Sequence, residues 1–336
     1  MREIMMMQAV NEAQMEEMER DPSTFLIGLD VGKMGGVLGQ DMGLYEKFGE
    51  DRVIDAPIGE SGYAGFALGA ALAGKRPIVE MQFADFSILA VDPIGNGAKI
   101  RYCSGGQYKA PVVFRCPQGA GLMAAATHSQ CIESWFANFP GLKIVIPSTP
   151  YDMKGLLKTA IRDDDPVLFL EHKAMYGIKG AVPEEEYTIP LGQAKVVREG
   201  KDVTVIAIQA LVYQAIDAAN ELEKEGISVE IIDPRTLIPL DTDTIGTSVA
   251  KTGKVVIAHE APKRGGFGGE ISAVISEKFF SSLKAPIIRV GAANCPLPFN
   301  ILSHIILKHS NISIRSKMSK IYSSAVLCSR PWVLLC

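Results

Sequence analysis

A strand–helix–strand pattern runs through residues 52–81, RVIDAPIGESGYAGFALGAALAGKRPIVEM. Short apolar runs predict strands over Arg52–Asp55 and Pro77–Met81, and the small-residue stretch between them predicts a helix over Gly62–Gly74. Neither strand strictly alternates polar with apolar side chains, which is typical of a sheet covered by helices on both faces. The unit therefore predicts a parallel α/β architecture.

The same alternation continues on both sides of this unit. Further strands are predicted over Thr24–Gly28, Pro111–Arg115, Lys143–Pro147 and Pro166–Leu170, and helices over Glu3–Arg20, Ala84–Arg101, Ser129–Asn138 and Tyr151–Arg162. A second series has predicted strands over Val203–Ile208, Ser228–Ile232, Lys254–Ala258 and Pro286–Val290, with helices over Leu211–Glu225, over Thr242–Lys251 and from Gly268. We predict two α/β domains of unequal size, residues 1–180 and 201–300, joined by a Gly- and Pro-containing linker over residues 181–200.

The composition limits the classes of function. The 336 residues carry 34 Lys and Arg against 38 Asp and Glu, a net charge of −4 that excludes a nucleic-acid binder relying on broad positive charge. The N-terminus lacks the pattern of a signal peptide, and no stretch has the roughly 18 apolar residues of a membrane span. Six cysteines with no CxxC pair predict reduced thiols. We therefore expect a cytoplasmic protein without nucleic-acid or membrane partners.

Charge is uneven along the chain. No acidic residue follows Glu277, and residues 301–336 contain five Lys or Arg, so the first 300 residues carry a net charge of −9. Residues 301–336 mix Ser, Lys and apolar residues without a regular period, and we assign them no fold. Our hypothesis is that this atypical tail arose from a shifted reading frame or from a divergent end.

Several catalytic motifs can be excluded. Gly265–Glu270 lies between a predicted strand and helix, but it lacks GxGxxG spacing, which leaves a flexible helix entry or an anion contact as interpretations. No GxxxxGK[ST] phosphate loop occurs. Gly59–Tyr63 lacks the last glycine of a nucleophile elbow. His128 and Cys131 have no second Cys/His pair at zinc-site spacing, so a zinc site is not expected.

Two segments remain as candidates for chemistry. Asp55–Glu60 follows a predicted strand and precedes a Gly/Ala-rich helix, where a carboxylate either meets a ligand or stabilises the helix N-terminus. Thr127–Gln130 follows the glycine-containing stretch Gln118–Gly121. The imidazole of a histidine titrates near neutrality and suits proton transfer, but a structural loop histidine has the same pattern. Composition and spacing leave both pairs of interpretations open.

Ordered motifs along residues 3–300 resemble a known family. They comprise MEEMERDP at 15–22, FLIGLDVG at 25–32, RVIDAPIGE at 52–60, RYCSGGQ at 101–107, HSQ at 128–130, PGLK at 140–143, DDDP at 163–166 and DPRTL at 233–237. Together they resemble the β chain of the thiamine-diphosphate-dependent first component of 2-oxo acid dehydrogenase complexes. FLEHK at 169–173 and VPEEEY at 182–187 resemble its pyruvate and acetoin branches. The resemblance implies a transketolase-like pyrimidine-binding domain with a parallel sheet, followed by a smaller transketolase C-terminal domain.

The resemblance also implies a heterotetramer of two α and two β chains that share thiamine diphosphate. Mg²⁺ is expected on the α chain, because the Gly-Asp-Gly…Asn pattern that binds it with the diphosphate is missing here. The implied reaction cleaves a C–C bond of pyruvate, another 2-oxo acid or acetoin, and passes the remaining fragment to a lipoyl group of the acyltransferase core. This chain alone is expected to be inactive. A branched-chain 2-oxo acid enzyme is the alternative within the family.

The resemblance assigns roles to individual residues. Glu60 matches the glutamate that bonds the aminopyrimidine ring and so helps the cofactor to form its own base, and His128 matches the histidine that moves protons during acyl transfer. Phe86 and Ile58 match the aromatic and apolar neighbours of that ring, and Leu29 matches a further cofactor position. Backbone carbonyls that hold a structural potassium ion in some members correspond to Val112, Ala160, Ile161, Asp163 and Asp165.

Some residues depart from the family pattern. Leu29 stands where the family usually has glutamate, and Pro93, Gly95 and Gly97 fall in a usually uninterrupted helix, where an interior proline costs about 3 kcal/mol. Asn294 replaces a common aspartate, and the acidic helical ending is missing from the tail. These departures motivate a second alternative, a degenerate β chain with a structural or regulatory role.

Overall fold

The computed structural model describes residues 1–297, 299 and 314–322, and the chain divides into two compact units. The first unit comprises Met1–Gly192 and Arg235–Pro239, and the second comprises Gln193–Pro234 and the described residues from Leu240 onward. Each unit is built around its own, mostly parallel sheet. The predicted α/β architecture, with two successive series of strands and helices, is confirmed.

In the first unit, strands and helices alternate along the chain. The strands are β1 (Arg2–Met5), β2 (Thr24–Gly28), β3 (Val53–Asp55), β4 (Arg76–Glu80), β5 (Val113–Gln118), β6 (Lys143–Val145), β7 (Val167–His172) and β8 (Lys179–Val182). The helices are α1 (Met6–Arg20), α2 (Leu44–Phe48), α3 (Glu60–Leu72), α4 (Val91–Gly97), α5 (Ile100–Cys103), α6 (Glu133–Phe136) and α7 (Pro150–Arg162). Short 3₁₀ helices cover Ala84–Ala90 and Lys173–Met175.

The second unit repeats this alternation. Its strands and helices are β9 (Lys195–Arg198), β10 (Val203–Ala207), α8 (Ala210–Glu223), β11 (Val229–Asp233), α9 (Thr242–Thr252), β13 (Val255–Pro262), α10 (Gly268–Phe279) and β14 (Ile288–Ala292). Between β11 and α9 the chain returns to the first sheet as β12 (Thr236–Ile238), a strand that the sequence pattern did not predict.

The first sheet brings several strand ends to one edge. Its order is β12-β6-β7-β5-β4-β2-β3, and all neighbouring strands are parallel except β12 and β6. β2, β5 and β7 are buried along their whole length, as strands without strict polar–apolar alternation predict, although β5 and β7 also bury charged side chains. Gly28 at the end of β2 lies beside Asp55 of β3 and Glu80 of β4. Open α/β sheets bind ligands at such a carboxyl edge.

The helix predicted over Ala84–Arg101 is instead divided into a 3₁₀ helix, α4 and α5. Pro93 is the third residue of α4, where a helical N–H has no intrahelical partner in any case, so the interior penalty does not apply. Gly95 packs against the ring of Phe139, since a Cβ on Gly95 would lie 2.5 Å from a ring carbon. The helix predicted over Ser129–Asn138 is shortened to α6.

The second sheet has the order β14-β13-β10-β11-β9, with β9 antiparallel to β11 and the other pairs parallel. Helix α8 covers it with a buried face that includes Leu211, Ala215 and Leu222. These side chains recur at helical spacing and pack on the apolar strands β10 and β11. This core is separate from the one that surrounds the first sheet.

Residues 314–322 of the predicted atypical tail form a helix that packs into this second core. Ile314, Met318 and Ile321 are buried, and their i, i+4, i+7 spacing is that of one helix face. Arg315 forms ion pairs of 3.1 and 2.6 Å with two glutamates at the end of α8. The remaining positions of the tail lie outside the described residues.

Candidate active site

The four side chains expected around the cofactor's ring and at the proton-transfer step all follow strands of the first sheet. Leu29 directly follows β2, Glu60 begins α3 after β3, Phe86 lies in the 3₁₀ helix after β4, and His128 lies in the loop after β5. These four strands are neighbours and run parallel. The topology therefore brings all four residues to the same carboxyl edge.

Glu60 lines a cleft of about 620 Å³ at this edge. The wall of the cleft is largely apolar and includes Ile54, Phe66 and Leu89. The N-cap of α3 is Gly59, so the side chain of Glu60 does not cap the helix. Among the described residues, no group donates a hydrogen bond to its carboxylate. The carboxylate is therefore available to a ligand, and its place in the first turn of α3 also suits the helix dipole, so both interpretations agree with the structure.

His128 packs edge-on against two phenylalanine rings. The ring centroid of His128 is 4.7 Å from that of Phe83 and 5.2 Å from that of Phe86, and the two phenylalanine centroids are 5.7 Å apart. The hydroxyl of Thr127 lies 2.9 Å from His128 Nδ1. Edge-to-face contacts of this kind fix the orientation of a ring. The imidazole is half-buried, so one side of it stays open to a substrate.

The 3₁₀ helix Ala84–Ala90 connects this aromatic cluster to the cleft of Glu60. Residues three apart eclipse one another on a 3₁₀ helix, so Phe86 and Leu89 lie on the same side. Phe86 contacts His128, and Leu89 lines the cleft. The arrangement places an open carboxylate, an apolar wall and an oriented imidazole along one side of the sheet edge.

The loop that carries His128 is held at both ends. At its start, the ammonium of the buried Lys173 donates a hydrogen bond to the carbonyl of Gly119. At its end, the backbone N–H of Ile132 donates to the side-chain oxygen of Gln118 at 3.0 Å. These contacts define where His128 stands although the loop itself has no regular secondary structure.

The two apolar positions have different surroundings. Ile58 precedes Glu60 and leaves 80% of its side chain exposed, so it presents an apolar surface beside the cleft. Leu29 is half-buried directly after β2 and contributes no charge to the edge. At this position the resembled family usually has a glutamate, and this chain has the hydrocarbon side chain of Leu29 instead.

The five residues expected to hold potassium lie around the end of α7 and before β5 and β7, at Val112, Ala160, Ile161, Asp163 and Asp165. The guanidinium of Arg76 donates to the carbonyls of Ile161 and Asp163 at 3.2 and 2.8 Å. The carbonyls of Val112 and Ala160 accept backbone N–H groups. Each carbonyl has two lone pairs, so these hydrogen bonds do not decide whether a potassium ion binds, and the potassium site stays a prediction.

A buried charged cluster beneath the edge escaped the sequence reasoning. Arg115 of β5 is fully buried and binds Glu171 at 2.6 Å and Asp41 at 2.8 Å. Glu80 is also fully buried at the end of β4. The available signal was a charged residue inside an otherwise apolar strand, in RPIVEM and VFRCP.

No group of three His, Cys, Asp or Glu in residues 1–297, 299 and 314–322 is arranged to hold a metal ion. None of the helices in this part of the chain is long and apolar enough to cross a membrane.

Comparisons with known proteins agree with the resemblance read from the motifs. The family model described as transketolase, pyrimidine binding domain matches residues 2–179, and the model described as transketolase, C-terminal domain matches residues 192–312. Among solved structures, a chain titled split gene transketolase, inactive beta4 tetramer, is similar with a TM-score of 0.77 and 24% identity, covering 95% of this chain and 98% of that one. That likeness supports the transketolase-like fold.

Curated relatives are more similar in sequence. The 2-oxoisovalerate dehydrogenase subunit beta of Bacillus subtilis is 52% identical and covers 86% of this chain and 89% of its own length. The acetoin:2,6-dichlorophenolindophenol oxidoreductase subunit beta of Cupriavidus necator is 49% identical, with 87% and 89% covered. The pyruvate dehydrogenase E1 component subunit beta of Bacillus subtilis is 47% identical, with 89% and 93% covered. The chain therefore belongs to the transketolase-like family of 2-oxo acid and acetoin dehydrogenase β subunits.

Proposed function

We propose that the chain is the β subunit of a thiamine-diphosphate-dependent first component that cleaves a 2-oxo acid or acetoin. The fragment that remains is then passed to a lipoyl group of an acyltransferase. The observation that carries the proposal is Glu60, whose carboxylate lies in an apolar cleft and accepts no hydrogen bond from the part of the chain that the structure describes. The Phe83–Phe86–His128 cluster along the same sheet edge supplies the second part of the site.

The cleft fits one end of thiamine diphosphate. An aminopyrimidine is a flat ring that needs apolar faces and one hydrogen-bond partner for a ring nitrogen. The resemblance implies Phe86 and Ile58 as neighbours of this ring, and neither is among the residues that line the cleft. Within the cleft, Phe66 and Leu89 offer apolar surface and Glu60 offers the carboxyl group. When bound, the cofactor supplies the carbanion and the electron sink that C–C cleavage requires. The role of Glu60 is to exchange a hydrogen-bonding proton with a ring nitrogen, which favours the tautomer able to act as a base.

His128 is proposed to hold and move a proton during acyl transfer. Its ring orientation is set by Phe83 and Phe86, and Thr127 can fix the tautomer through Nδ1. Nε2 is then the atom that faces the reacting groups. An imidazole so oriented can protonate or deprotonate a sulfur or oxygen of the acyl acceptor.

An α subunit is proposed to cover the exposed side of α3 and to bring the diphosphate and Mg²⁺ site. Three positions of this side, Gly62, Gly65 and Gly69, have open space where a Cβ would point. Phe66 is 57% exposed beside them, and Leu89 is 60% exposed on the adjoining 3₁₀ helix. Glycines allow a partner's backbone to approach closely, and adjacent exposed apolar side chains are typical of an interaction site.

The comparisons leave the identity of the substrate open among 2-oxo acids and acetoin. Relatives that act on 2-oxoisovalerate, acetoin and pyruvate, by their names, share between 47% and 52% identity with this chain. A pocket completed by an α subunit would decide among them. A degenerate, non-catalytic β chain is the alternative that Leu29 motivates, but Glu60 and His128 are both present and placed at one edge.

The test is reconstitution with the cognate α subunit. The co-expressed chains should form a complex that binds thiamine diphosphate with Mg²⁺ and turns over one of three substrates: pyruvate, 2-oxoisovalerate or acetoin. Carbon dioxide release measures the first two, and dye reduction measures acetoin cleavage. The β chain alone, as a control, should show no turnover. A folded, cofactor-loaded complex that turns over none of the three would contradict the catalytic proposal.

A further inference from the structure

Asp85 is a buried acid on the 3₁₀ helix that carries Phe86. It is the second residue of Ala84–Ala90 and leaves only 6% of its surface exposed. Its Oδ1 accepts two hydrogen bonds from Gln130, one from the side-chain amide at 2.8 Å and a longer one from the backbone N–H at 3.4 Å. Gln130 lies two positions after His128. A buried carboxyl group therefore joins the segment that carries His128 to the neighbouring 3₁₀ helix.

Burial makes the contact between Asp85 and Gln130 hard to open. A carboxyl group that is removed from water destabilises the fold unless hydrogen-bond donors replace the water. Oδ2 of Asp85 is buried and accepts no hydrogen bond from the residues that the structure describes. If Gln130 moved away, both oxygens of the buried acid would lose their donors. The contact therefore resists separation of the loop from the helix.

The same two segments meet at a second point. Phe86, the residue after Asp85, packs edge-on against the ring of His128 with the centroids 5.2 Å apart. Adjacent residues of the 3₁₀ helix thus contact two positions of the loop, the imidazole through Phe86 and Gln130 through Asp85. A single ring contact would leave the loop free to rotate about it. Two contacts side by side fix the orientation of the imidazole relative to the helix.

The loop over residues 119–132 depends on such contacts because it contains no helix or strand. Met123 and Ala125 have φ values of 54° and 59°, which are uncommon for residues with a side chain. The N–H of Gly119 donates to the carbonyl of Gln130 at 3.3 Å and closes the base of the loop. A closed base alone does not determine how far the loop lies from the 3₁₀ helix, so that distance is set by contacts between the two.

We infer that Asp85 is a positioning residue for His128, because it binds Gln130 and so holds the loop against the 3₁₀ helix. Within the described residues no hydrogen bond joins Asp85 to the imidazole, so its effect passes through the loop. A misplacement of a reacting group by about 1 Å can cost about 10²-fold in rate. The activity part of this inference rests on the proposed role of His128 in acyl transfer, and the loop contact does not.

The first test separates the two half-reactions in the complex with the α subunit. Asp85→Ala should lower acylation of a lipoyl domain by about tenfold or more, while C–C cleavage measured by dye reduction stays within about threefold of the wild type. Asp85→Asn keeps an acceptor oxygen for Gln130 and should restore most of the acylation rate. Equal losses in the two half-reactions, or no rescue by asparagine, would overturn the inference.

Gln130→Ala tests the other side of the contact. It removes the 2.8 Å hydrogen bond and should lower acylation in the same way as Asp85→Ala. Asn138→Ala is the matched control, because it removes an exposed amide beyond α6 and should keep both wild-type rates. Wild-type acylation by Gln130→Ala would contradict the assigned contact.

A double-mutant cycle tests whether Asp85 acts through His128. In a chain that already carries His128→Gln, adding Asp85→Ala should lower acylation by less than about threefold, since a positioning contact has no effect once the imidazole is gone. Losses that multiply, so that the double variant shows the full effect of both changes, would show that Asp85 acts independently of His128.

Hydrogen exchange of the full chain gives a readout that needs no activity. Peptides over residues 119–132 should exchange faster in Asp85→Ala and Gln130→Ala than in the wild type, and at the wild-type rate in Asp85→Asn. Peptides over β10 and β11 serve as the internal reference. Unchanged exchange of residues 119–132 in both alanine variants would overturn the loop contact.

Two outcomes are assigned in advance. Gln130 is exposed, so Gln130→Ala carries the test if Asp85→Ala does not accumulate as folded protein. If no complex turns over any substrate, the proposed function fails, and the exchange rates alone decide whether Asp85 holds the loop.

Discussion

His128 owes its orientation to aromatic contacts rather than to a charged partner. Phe83 and Phe86 hold the ring edge-on at 4.7 and 5.2 Å, and Thr127 contacts Nδ1. Glu60, by contrast, is positioned by the start of α3 and has no protein donor among the described residues. Different contacts therefore position the two side chains, and mutations can separate their roles.

We predict that His128→Gln uncouples the two half-reactions. C–C cleavage, measured by dye reduction in the complex, should stay within about tenfold of the wild type. Acylation of a lipoyl domain should fall by about 10²-fold or more, because proton transfer by a positioned base contributes 10²–10⁴-fold. Thr127→Ala is the matched control and should have a smaller effect on acylation. Equal losses in both assays would show that His128 acts in the cleavage step.

His259 predicts a dependence of stability on pH. It is buried on β13 with neither ring nitrogen hydrogen-bonded to a described residue, and burial lowers its pKa from 6.5 to about 4. Between pH 6.5 and 4 the unfolded chain binds a proton that the folded chain does not, so the free energy of unfolding falls as pH falls. The total loss is about 3 kcal/mol.

Chemical unfolding at pH 4.5 and pH 7 measures this effect. His259→Gln should lose less stability between the two values than the wild type does. His128→Gln changes a half-buried histidine and serves as the control, with the wild-type slope expected. Identical slopes for the wild type and His259→Gln would rule out the assignment to His259.

At the residue scale, the sequence predicted what depends on local position and missed what depends on burial. Glu60 and His128 follow predicted strands beside glycine-containing stretches, but that pattern left their roles open and only the family resemblance assigned them. The buried cluster around Arg115 brings together Asp41 and Glu171, which are 74 and 56 positions away from Arg115 along the chain. No local pattern records such long-range proximity.

At the element scale, α4 shows how context changes the meaning of a proline. Pro93 occupies the first turn, so it removes no intrahelical hydrogen bond. Gly95 is the position that packing constrains, because the Phe139 ring occupies the space of its Cβ. The predicted interruption is present, but the proline does not carry the energetic penalty expected from the sequence.

We predict that Pro93→Ala destabilises the chain by less than about 1 kcal/mol, mainly through the added freedom of the unfolded state. Gly95→Ala should destabilise it by about 1–3 kcal/mol through overpacking against Phe139. Urea unfolding of both variants tests the pair. A larger loss for Pro93→Ala than for Gly95→Ala would contradict this account of α4.

Element types were more predictable than element ends. Most strands of both sheets carry short apolar runs, and α9 over Thr242–Thr252 differs from its prediction by one residue. β12 was missed because its three residues, Thr236–Ile238, form a strand only by pairing with β6, which lies more than 90 positions earlier in the chain. Short elements made by long-range pairing have too little local signal.

At the scale of the whole molecule, the chain has two cores, and the described part of the predicted tail packs into the second one. The first 300 residues carry a net charge of −9, and the basic excess lies in residues 301–336. Part of this positive charge is paired, because Arg315 forms ion pairs with two glutamates of the second unit. A foreign tail would not be expected to place three apolar side chains on one face and bury them. The origin of the tail stays a hypothesis, but residues 314–322 are part of the second core.

We predict that Met318→Ala destabilises the second unit by about 2–5 kcal/mol, as expected for truncating a fully buried methionine. Ser316→Ala changes an exposed residue of the same helix and should have little effect. Hydrogen exchange of α8 amides and urea unfolding report on the loss. Equal stability of the two variants would show that residues 314–322 do not contribute to the core.

We propose above that Glu60 enables the bound cofactor to form its own base. The most direct measurement is the rate at which the C2 proton of thiamine diphosphate exchanges for deuterium in the αβ complex, followed by NMR after quenching. Glu46→Gln makes the same change at an exposed acid on the first turn of α2, outside the cleft, and is the control that should exchange at the wild-type rate. Glu60→Gln should bind the cofactor and still slow the exchange by about 10²-fold or more. Exchange at the wild-type rate in a cofactor-loaded Glu60→Gln complex would contradict the account.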